Sequence, residues 1–176
     1  MLMRHLKTTY HPSFKDFDDP KIFHRDTVRA IITNKEDILL IYTERYNDYT
    51  FPGGGIEEGE DIEKSLHREI KEETGANNVS IVAEFGEYEE FRPCYYPEYD
   101  ISHVRSFYYV CSADYELGQH QMEAYEIANG SRPVWVKIDE AIAYNKHVMA
   151  ENKKSMGMSI QRETFILEAI KEELIK

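Results

Sequence analysis

Pro52 followed by Gly53, Gly54 and Gly55, leading into apolar residues that recur at spacing four, constrains the fold more than any other segment of the chain. Pro52 offers no backbone N–H and the glycines favour sharp turns and close backbone approach, so residues 49–59 are expected to be irregular. Ile62, Leu66 and Ile70 then share one helical face across residues 61–74, and Gly75 stands where a left-handed residue would end the helix. A glycine loop feeding an amphipathic helix is thus the element around which the rest must pack.

Strand patterns flank it. TVRAIIT from Thr27, the polar turn NKED and then ILLIY predict two strands joined by a short connection. Residues 79–91 and 101–111 predict two more, separated by RPCYYPEYD, in which Pro93 and Pro97 enforce a loop. PVWVKI predicts another strand and residues 139–145 the start of a helix. Residues 160–175 place Phe165, Ile166, Ala169, Ile170 and Leu174 along one face of a closing helix. Strand clusters separated by helices imply an α+β class with a mixed β-sheet sandwiched between helices, an α/β/α arrangement.

At 176 residues and 41% hydrophobic the chain can bury one substantial core, so a single domain over 1–176 is expected: an N-terminal arm or added edge element at 1–24, a core at 25–145 and a C-terminal helical extension at 146–176. The arm holds Pro12, Pro20 and the acids Asp16, Asp18 and Asp19. The first twenty residues contain no apolar run of signal-peptide length, and no stretch is long enough to span a bilayer, which predicts a cytoplasmic protein with no membrane partner. Cys94 and Cys111 lack the spacing of a zinc site and are expected to be reduced. A formal net charge of −12 argues against nonspecific nucleic-acid binding, which needs a basic surface; an acidic protein can still act on phosphates if cations stand between them.

That condition meets a specific arrangement of acids. Glu69, Glu72 and Glu73 fall at i, i+3 and i+4, three carboxylates on one face within a turn. Each solvated like-charge pair costs roughly 0.2–0.5 kcal/mol, and more when shielded from water. A divalent cation that prefers hard oxygen replaces this repulsion with coordination, and carboxylates favour Mg²⁺, Mn²⁺ or Ca²⁺ over soft metals. Mg²⁺ suits phosphate chemistry, with Mn²⁺ as a substitute, because it keeps several waters and takes one or two carboxylates together with substrate oxygens.

The stretch from Gly54 to Ala76 resembles the Nudix box, which runs glycine, five residues, glutamate, seven residues, then R-E-aliphatic-x-E-E-x-G-aliphatic. Here it reads Gly54, Glu60, Arg68, Glu69, Ile70, Glu72, Glu73 and Gly75, a coincidence expected by chance at roughly 10⁻⁶ over such a chain. Ala76 departs from the bulky aliphatic usual at the last position. The resemblance implies a Nudix fold over about residues 27–145 and hydrolysis of a phosphoanhydride bond by attack of a water on phosphorus. It further implies Glu69, Glu72 and Glu73 as metal ligands and catalytic residues, Glu69 also as base, and the Gly53 carbonyl as an extra ligand. Arg68 would orient a carboxylate such as Glu72, with Glu60 in support, and Glu126, or next Glu123, would supply an acid from a later loop.

Recognition is less constrained. Tyr49, Phe51 and Tyr96, with Tyr95 and Tyr99, are candidates to stack on a base, and Arg29, Arg45, Arg92 and Arg105 to meet phosphates. The expected substrate is a small-molecule nucleotide, a nucleoside diphosphate linked to another moiety such as a sugar or a second nucleoside. The alternatives are a nucleoside triphosphate or oxidised nucleotide, and, in another class, a nucleotide-sensing module without catalysis. Homodimer formation is left open. No Walker phosphate loop, HExxH zinc motif or GxSxG serine motif is present.

Overall fold

The computed structural model describes residues 2–175, and of Lys15 and Asp16 the backbone alone. Met1 and Lys176, the ends of the expected domain, and the Asp16 side chain lie outside what is described. Strands and helices follow in the order β1 (His5–Tyr10), β2 (Ile22–Asn34), β3 (Asp37–Thr43), β4 (Asp48–Thr50), β5 (Gly53–Gly55), α1 (Ile62–Thr74), β6 (Ser80–Pro93), β7 (Ile101–Ser112), α2 (Ala124–Ala128), β8 (Ser131–Lys137), α3 (Ile138–Glu151) and α4 (Ile160–Leu174).

The sheet runs β1-β6-β7-β2-β3-β4, with β5 paired to β2 and β8 to β3. β2 and β7 lie parallel over Ile22 to Ile32, β6 and β7 antiparallel, and β1 adds in parallel at the β6 edge. The segment expected as an arm is therefore partly sheet: β1 closes one edge and β2 already begins at Ile22. β2 and β3 pair only at Thr33–Ile38 and Asn34–Asp37. Beyond that hairpin the sheet splits, β3 taking β4 and β8 while β2 takes β5.

Alternation along β2 sends its side chains to two cores. Val28, Ala30 and Ile32 pack with Leu39, Leu66, Ile70 and Tyr109 beneath α1. Ile31 joins Ile38, Leu40, Phe51, Tyr88 and Tyr108 beneath α3 and α4, which contribute Ile138, Ala141, Ile166, Leu167 and Ile170. Helices thus cover both faces, the α+β sandwich expected. Leu66 and Ile70 are wholly buried, each contributing about 2 kcal/mol by loss of apolar surface to water.

Residues 49–59 depart from the irregular segment expected. Gly53–Gly55 form a short strand against Thr27 to Arg29, because side-chain-free residues let the backbone lie flat against β2. No helix among the described residues is long and apolar enough to cross a membrane.

Candidate active site

Capping fixes the rotational phase of α1. Asp61 accepts at its side chain from the Lys64 N–H at 2.7 Å, and Gly75, at φ 68°, donates its N–H to the Lys71 carbonyl. With Leu66 and Ile70 facing inward, Glu69, Glu72 and Glu73 emerge at the boundary between core and solvent. Their exposure falls from 34% for the Glu72 side chain to 13% for Glu69 and 6% for Glu73 as a residue.

Opposite them stands the glycine strand. Gly53 has φ 148°, and a side chain there would drive Cβ to 1.9 Å from the Val28 carbonyl oxygen. A Cβ on Gly54 would sit 2.5–2.9 Å from the Glu69 carboxyl atoms. On the other side of the strand, a Cβ on Gly55 would meet the Arg25 guanidinium at 3.1 Å and one on Gly53 the Arg29 side chain at 2.9 Å. β5 therefore admits carboxylates from the α1 side and guanidiniums from the α4 side, with one backbone strand between them.

Arg68 organises the acids. Its Nε and Nη2 donate to Glu60 at 2.9 and 3.1 Å, its Nη1 to Glu69 at 3.0 Å and Glu72 at 3.4 Å, and its Nη2 to the Gly55 carbonyl at 3.4 Å. The expected pairing with Glu72 is present, but the forked grip on Glu60 is the stronger contact. Arg68's hydrogen bonds hold the Glu60 carboxyl down at about 2, and Glu60 in turn raises the Arg68 guanidinium. One fixed cation thereby ties loop, helix and two of the three acids.

Glu73 is handled differently. The Gly53 N–H donates to it at 3.3 Å, and burial raises its carboxyl well above the usual range; Arg29 opposes that shift while Glu126 and Glu69 add to it. Burial also raises Glu69, against the pull of Arg68. Glu126 reaches this neighbourhood because its loop is pinned to the end of α1: Gly118 N–H donates to the Gly75 carbonyl at 2.8 Å and Gln121 N–H to the Glu72 carbonyl at 2.7 Å. The Glu126 carboxylate also accepts from the Glu123 N–H at 2.7 Å, capping α2. The Gly53 carbonyl accepts from Arg29 Nη1 at 3.1 Å.

Among the described residues no three His, Cys, Asp or Glu side chains already converge as a metal cage. Arg68 and the Gly53 N–H hold the acids instead. The donor set still fits a hard divalent cation: every group is a carboxylate or carbonyl oxygen, and burial makes the paired charges of Glu69 and Glu73 costly until neutralised. An ion that retains waters and takes substrate oxygens needs no closed protein cage.

The aromatic candidates need correction. Phe51 is 1% exposed and meets Tyr108 edge-to-face at 5.4 Å, so its ring is core and closed to a base; its carbonyl serves the site by accepting from Arg29. Tyr49 packs against Tyr42 and Tyr144, both at 5.3 Å, and is occupied there. Tyr96 is 47% exposed and rests edge-on against Phe23 at 5.0 Å. Arg105 forks onto Asp26 and Arg45 bonds Asn129, whereas Arg29 keeps a buried Nε–H without a partner beside the glycine strand. Arg25 was not singled out in the sequence. Its alternation with Arg29 and Thr27 along one strand face was the available signal.

Comparison with known proteins agrees with this geometry. Residues 23–156 match the model of the NUDIX domain. The RNA pyrophosphohydrolase of Sulfurovum sp. is 36% identical over 129 residues, spanning 66% of this chain and 80% of that protein. The RNA pyrophosphohydrolase of Campylobacter jejuni is 48% identical over 42 residues, 24% of this chain and 27% of that one. A NUDIX hydrolase from Nitrosomonas europaea superposes with a TM-score of 0.59 at 19% identity, over 84% of this chain and 89% of its own. A NUDIX-family hydrolase from Clostridium perfringens gives 0.52 at 16%, over 86% and 99%. These two structures share the fold. Box, fold and domain match coincide, and the chain belongs to the Nudix family as a hydrolase of phosphoanhydride bonds.

Proposed function

We propose that this chain, as one domain over residues 1–176, uses Mg²⁺ to hydrolyse a phosphoanhydride in the 5′-polyphosphate end of a nucleotide or polynucleotide. The observation that carries this reading is the two-sided glycine strand. Carboxylates at Gly54 would hold cation and water, while Arg25 and Arg29, at Gly55 and Gly53, would meet phosphate oxygens that the carboxylates alone repel. The relatives named RNA pyrophosphohydrolase support it on chemical grounds, since internal RNA linkages are phosphodiesters and a pyrophosphate linkage exists only at a 5′ end. This moves the expected partner of the diphosphate from a sugar or second nucleoside towards a nucleotide chain.

Glu69, Glu72 and Glu73 would hold Mg²⁺, with the Gly53 carbonyl and Glu126 as further oxygen donors. When bound, the ion would supply charge neutralisation on the phosphates and a more acidic water. Glu69, held by Arg68 and largely shielded from solvent, would accept a proton from the attacking water, a role its raised affinity for protons supports. Arg29, whose buried Nε–H has no partner, would offer it to a phosphate oxygen while its Nη1 stays anchored on the Phe51 and Gly53 carbonyls. Arg68 fixes the carboxylates so that little reorganisation accompanies proton transfer.

The test is a substrate panel with Mg²⁺: 5′-triphosphorylated RNA, nucleoside triphosphates, nucleotide sugars and dinucleotides, with released phosphate read after phosphatase coupling. Preferred release from polyphosphate ends, abolished by EDTA and restored by Mg²⁺ or Mn²⁺, is expected. Turnover confined to nucleotide sugars, or persisting in chelator, refutes the reading; hydrolysis of no member favours a nucleotide sensor.

A further inference from the structure

The seven histidines of this chain show no metal-ligand spacing along the sequence, yet strand register sets two of them ring against ring. His24 on β2 lies directly opposite His103 on β7, and their Nδ1 atoms stand 2.7 Å apart with the rings crossed at 86°. Alternation puts both on the sheet face that α1 covers at Val28, but two rows further along β2, where that face reaches solvent. The pair is separate from the carboxylates of α1.

His103 is held from behind. Its Nε2 meets Glu89 Oε2 at 2.6 Å, and the other Glu89 oxygen accepts from Thr8 Oγ1 at 3.1 Å. The bond from His103 holds the Glu89 carboxyl below the usual carboxylate range, with burial opposing, so Glu89 is ionised and can only accept. The His103 proton therefore sits on Nε2, and the Nδ1 lone pair is left facing His24. Phe91 stacks on the His103 ring at 4.5 Å and Tyr10 on Phe91 at 5.0 Å, which fixes the ring plane. The His103 side chain is 14% exposed, whereas His24 is open to water. A carboxylate behind one ring nitrogen, with the other nitrogen presented, is the support that metal-binding histidines commonly have.

Separation of the two nitrogens decides which metal fits. With metal–nitrogen bonds of about 2.0–2.1 Å, two ligands at a right angle stand about 2.9 Å apart and two at the tetrahedral angle about 3.3 Å. The observed 2.7 Å is nearer the right angle, which suits the tetragonal preference of Cu²⁺ and Ni²⁺ over tetrahedral Zn²⁺. Among the described residues no third His, Cys, Asp or Glu completes a cage, so the remaining positions fall to water. Charge favours a cation here. The next two rows of this face carry Asp26, Glu87 and Glu89 against Arg105 alone, and Arg105 is forked onto Asp26 at 2.8 and 2.7 Å.

We propose that His24 and His103 bind a Cu²⁺ or Ni²⁺ ion through both Nδ1 atoms, with Glu89 as the positioning residue behind His103. On binding, the His24 proton moves from Nδ1 to its solvent-facing Nε2, so both Nδ1 atoms present lone pairs and no net proton is lost. The ion ties β2 to β7 outside the hydrolytic site, and nitrogen donors set its chemistry apart from that of an oxygen-bound Mg²⁺.

The experiment titrates the full chain with Cu²⁺, Ni²⁺ and Zn²⁺ in separate calorimetric runs, in excess Mg²⁺ so that the carboxylates of α1 are occupied. Electron paramagnetic resonance of the Cu²⁺ form counts coordinated nitrogens, and a thermal melt checks folding. One equivalent bound per chain, two coordinated nitrogens and a melt raised by the metal are expected. H24A, altered at an exposed ring, should stay folded, lose one nitrogen and bind at least about tenfold more weakly. E89Q should keep both nitrogens and weaken binding about 10–100-fold, an effect that a purely structural role for Glu89 would not produce. H5A, on a neighbouring strand, should bind as wild type does. Unchanged affinity in folded H24A or in folded E89Q, coordination by oxygen alone, or tighter binding of Zn²⁺ than of Ni²⁺ overturns the proposal.

Discussion

Gly54→Ala tests whether the glycine strand exists to admit Glu69. The new Cβ would lie 2.5 Å from Glu69 Oε1, so that oxygen must retreat about 0.9 Å to reach an ordinary 3.4 Å contact. The obstructing atoms are the far end of a flexible side chain, and Gly54 has no positive φ, so the fold should absorb the change with little loss of stability. Activity should not, because a displacement near 1 Å of a positioned group costs about a hundredfold in rate, or about 2.7 kcal/mol in the barrier. The assay is kcat on a 5′-triphosphorylated substrate at saturating Mg²⁺, alongside a denaturant melt. A double-mutant cycle isolates the cause: if Gly54 acts through the Glu69 carboxylate, G54A should cost little more in an E69Q background. A G54A enzyme within twofold of wild type, or one equally impaired with and without Glu69, would refute the reasoning.

Glu73→Gln should lower kcat by orders of magnitude and leave the thermal melt near wild type, because a buried carboxylate with a raised affinity for protons is replaced by a neutral isostere; near-normal turnover at saturating Mg²⁺ sinks its role as ligand. Asp48 is 1% exposed, neither carboxyl oxygen has a partner, and burial raises it to about 7 from 3.8. Its folded value lies above its unfolded one, so the folded state binds the extra proton and stability falls as pH rises from about 4 to 7, by about 4 kcal/mol at most. Asp48→Asn should remove that slope in urea melts at pH 5 and pH 8, and an unchanged slope assigns it elsewhere. Arg162→Met strands buried Glu90 and Glu163 without their cation and should cost about 3–5 kcal/mol in the same melts; a loss under 1 kcal/mol would show that the network relaxes around the gap.

Local chemistry made α1 legible from residues alone. The 3.6-residue period and the Gly75 stop are written within one segment, so the shared face of Glu69, Glu72 and Glu73 follows without knowledge of the rest, whereas the Asp61 cap was shown only by the structure. The clusters of strand patterns separated by helices, which give the α+β sandwich, are likewise a local pattern. Phe51 was misread because an aromatic beside a glycine loop looks the same whether its ring faces a ligand or Tyr108; β4, β5 and the hairpin between β2 and β3 turn it into the core.

The sequence by itself determined which acids share a helix face and that a glycine-rich segment leads into that helix, and its resemblance to the Nudix box from Gly54 to Ala76 implied the kind of bond the site cuts. Tertiary structure alone decided that Gly53–Gly55 lie flat as a strand against β2, with Glu69 on one side and Arg25 and Arg29 on the other. It alone set His24 against His103. The physical reason is range: helix phase is set by hydrogen bonds four residues apart, whereas the facing of β2, β6 and β7 is set by register between strands distant in sequence. That register fixes which side chains meet across them.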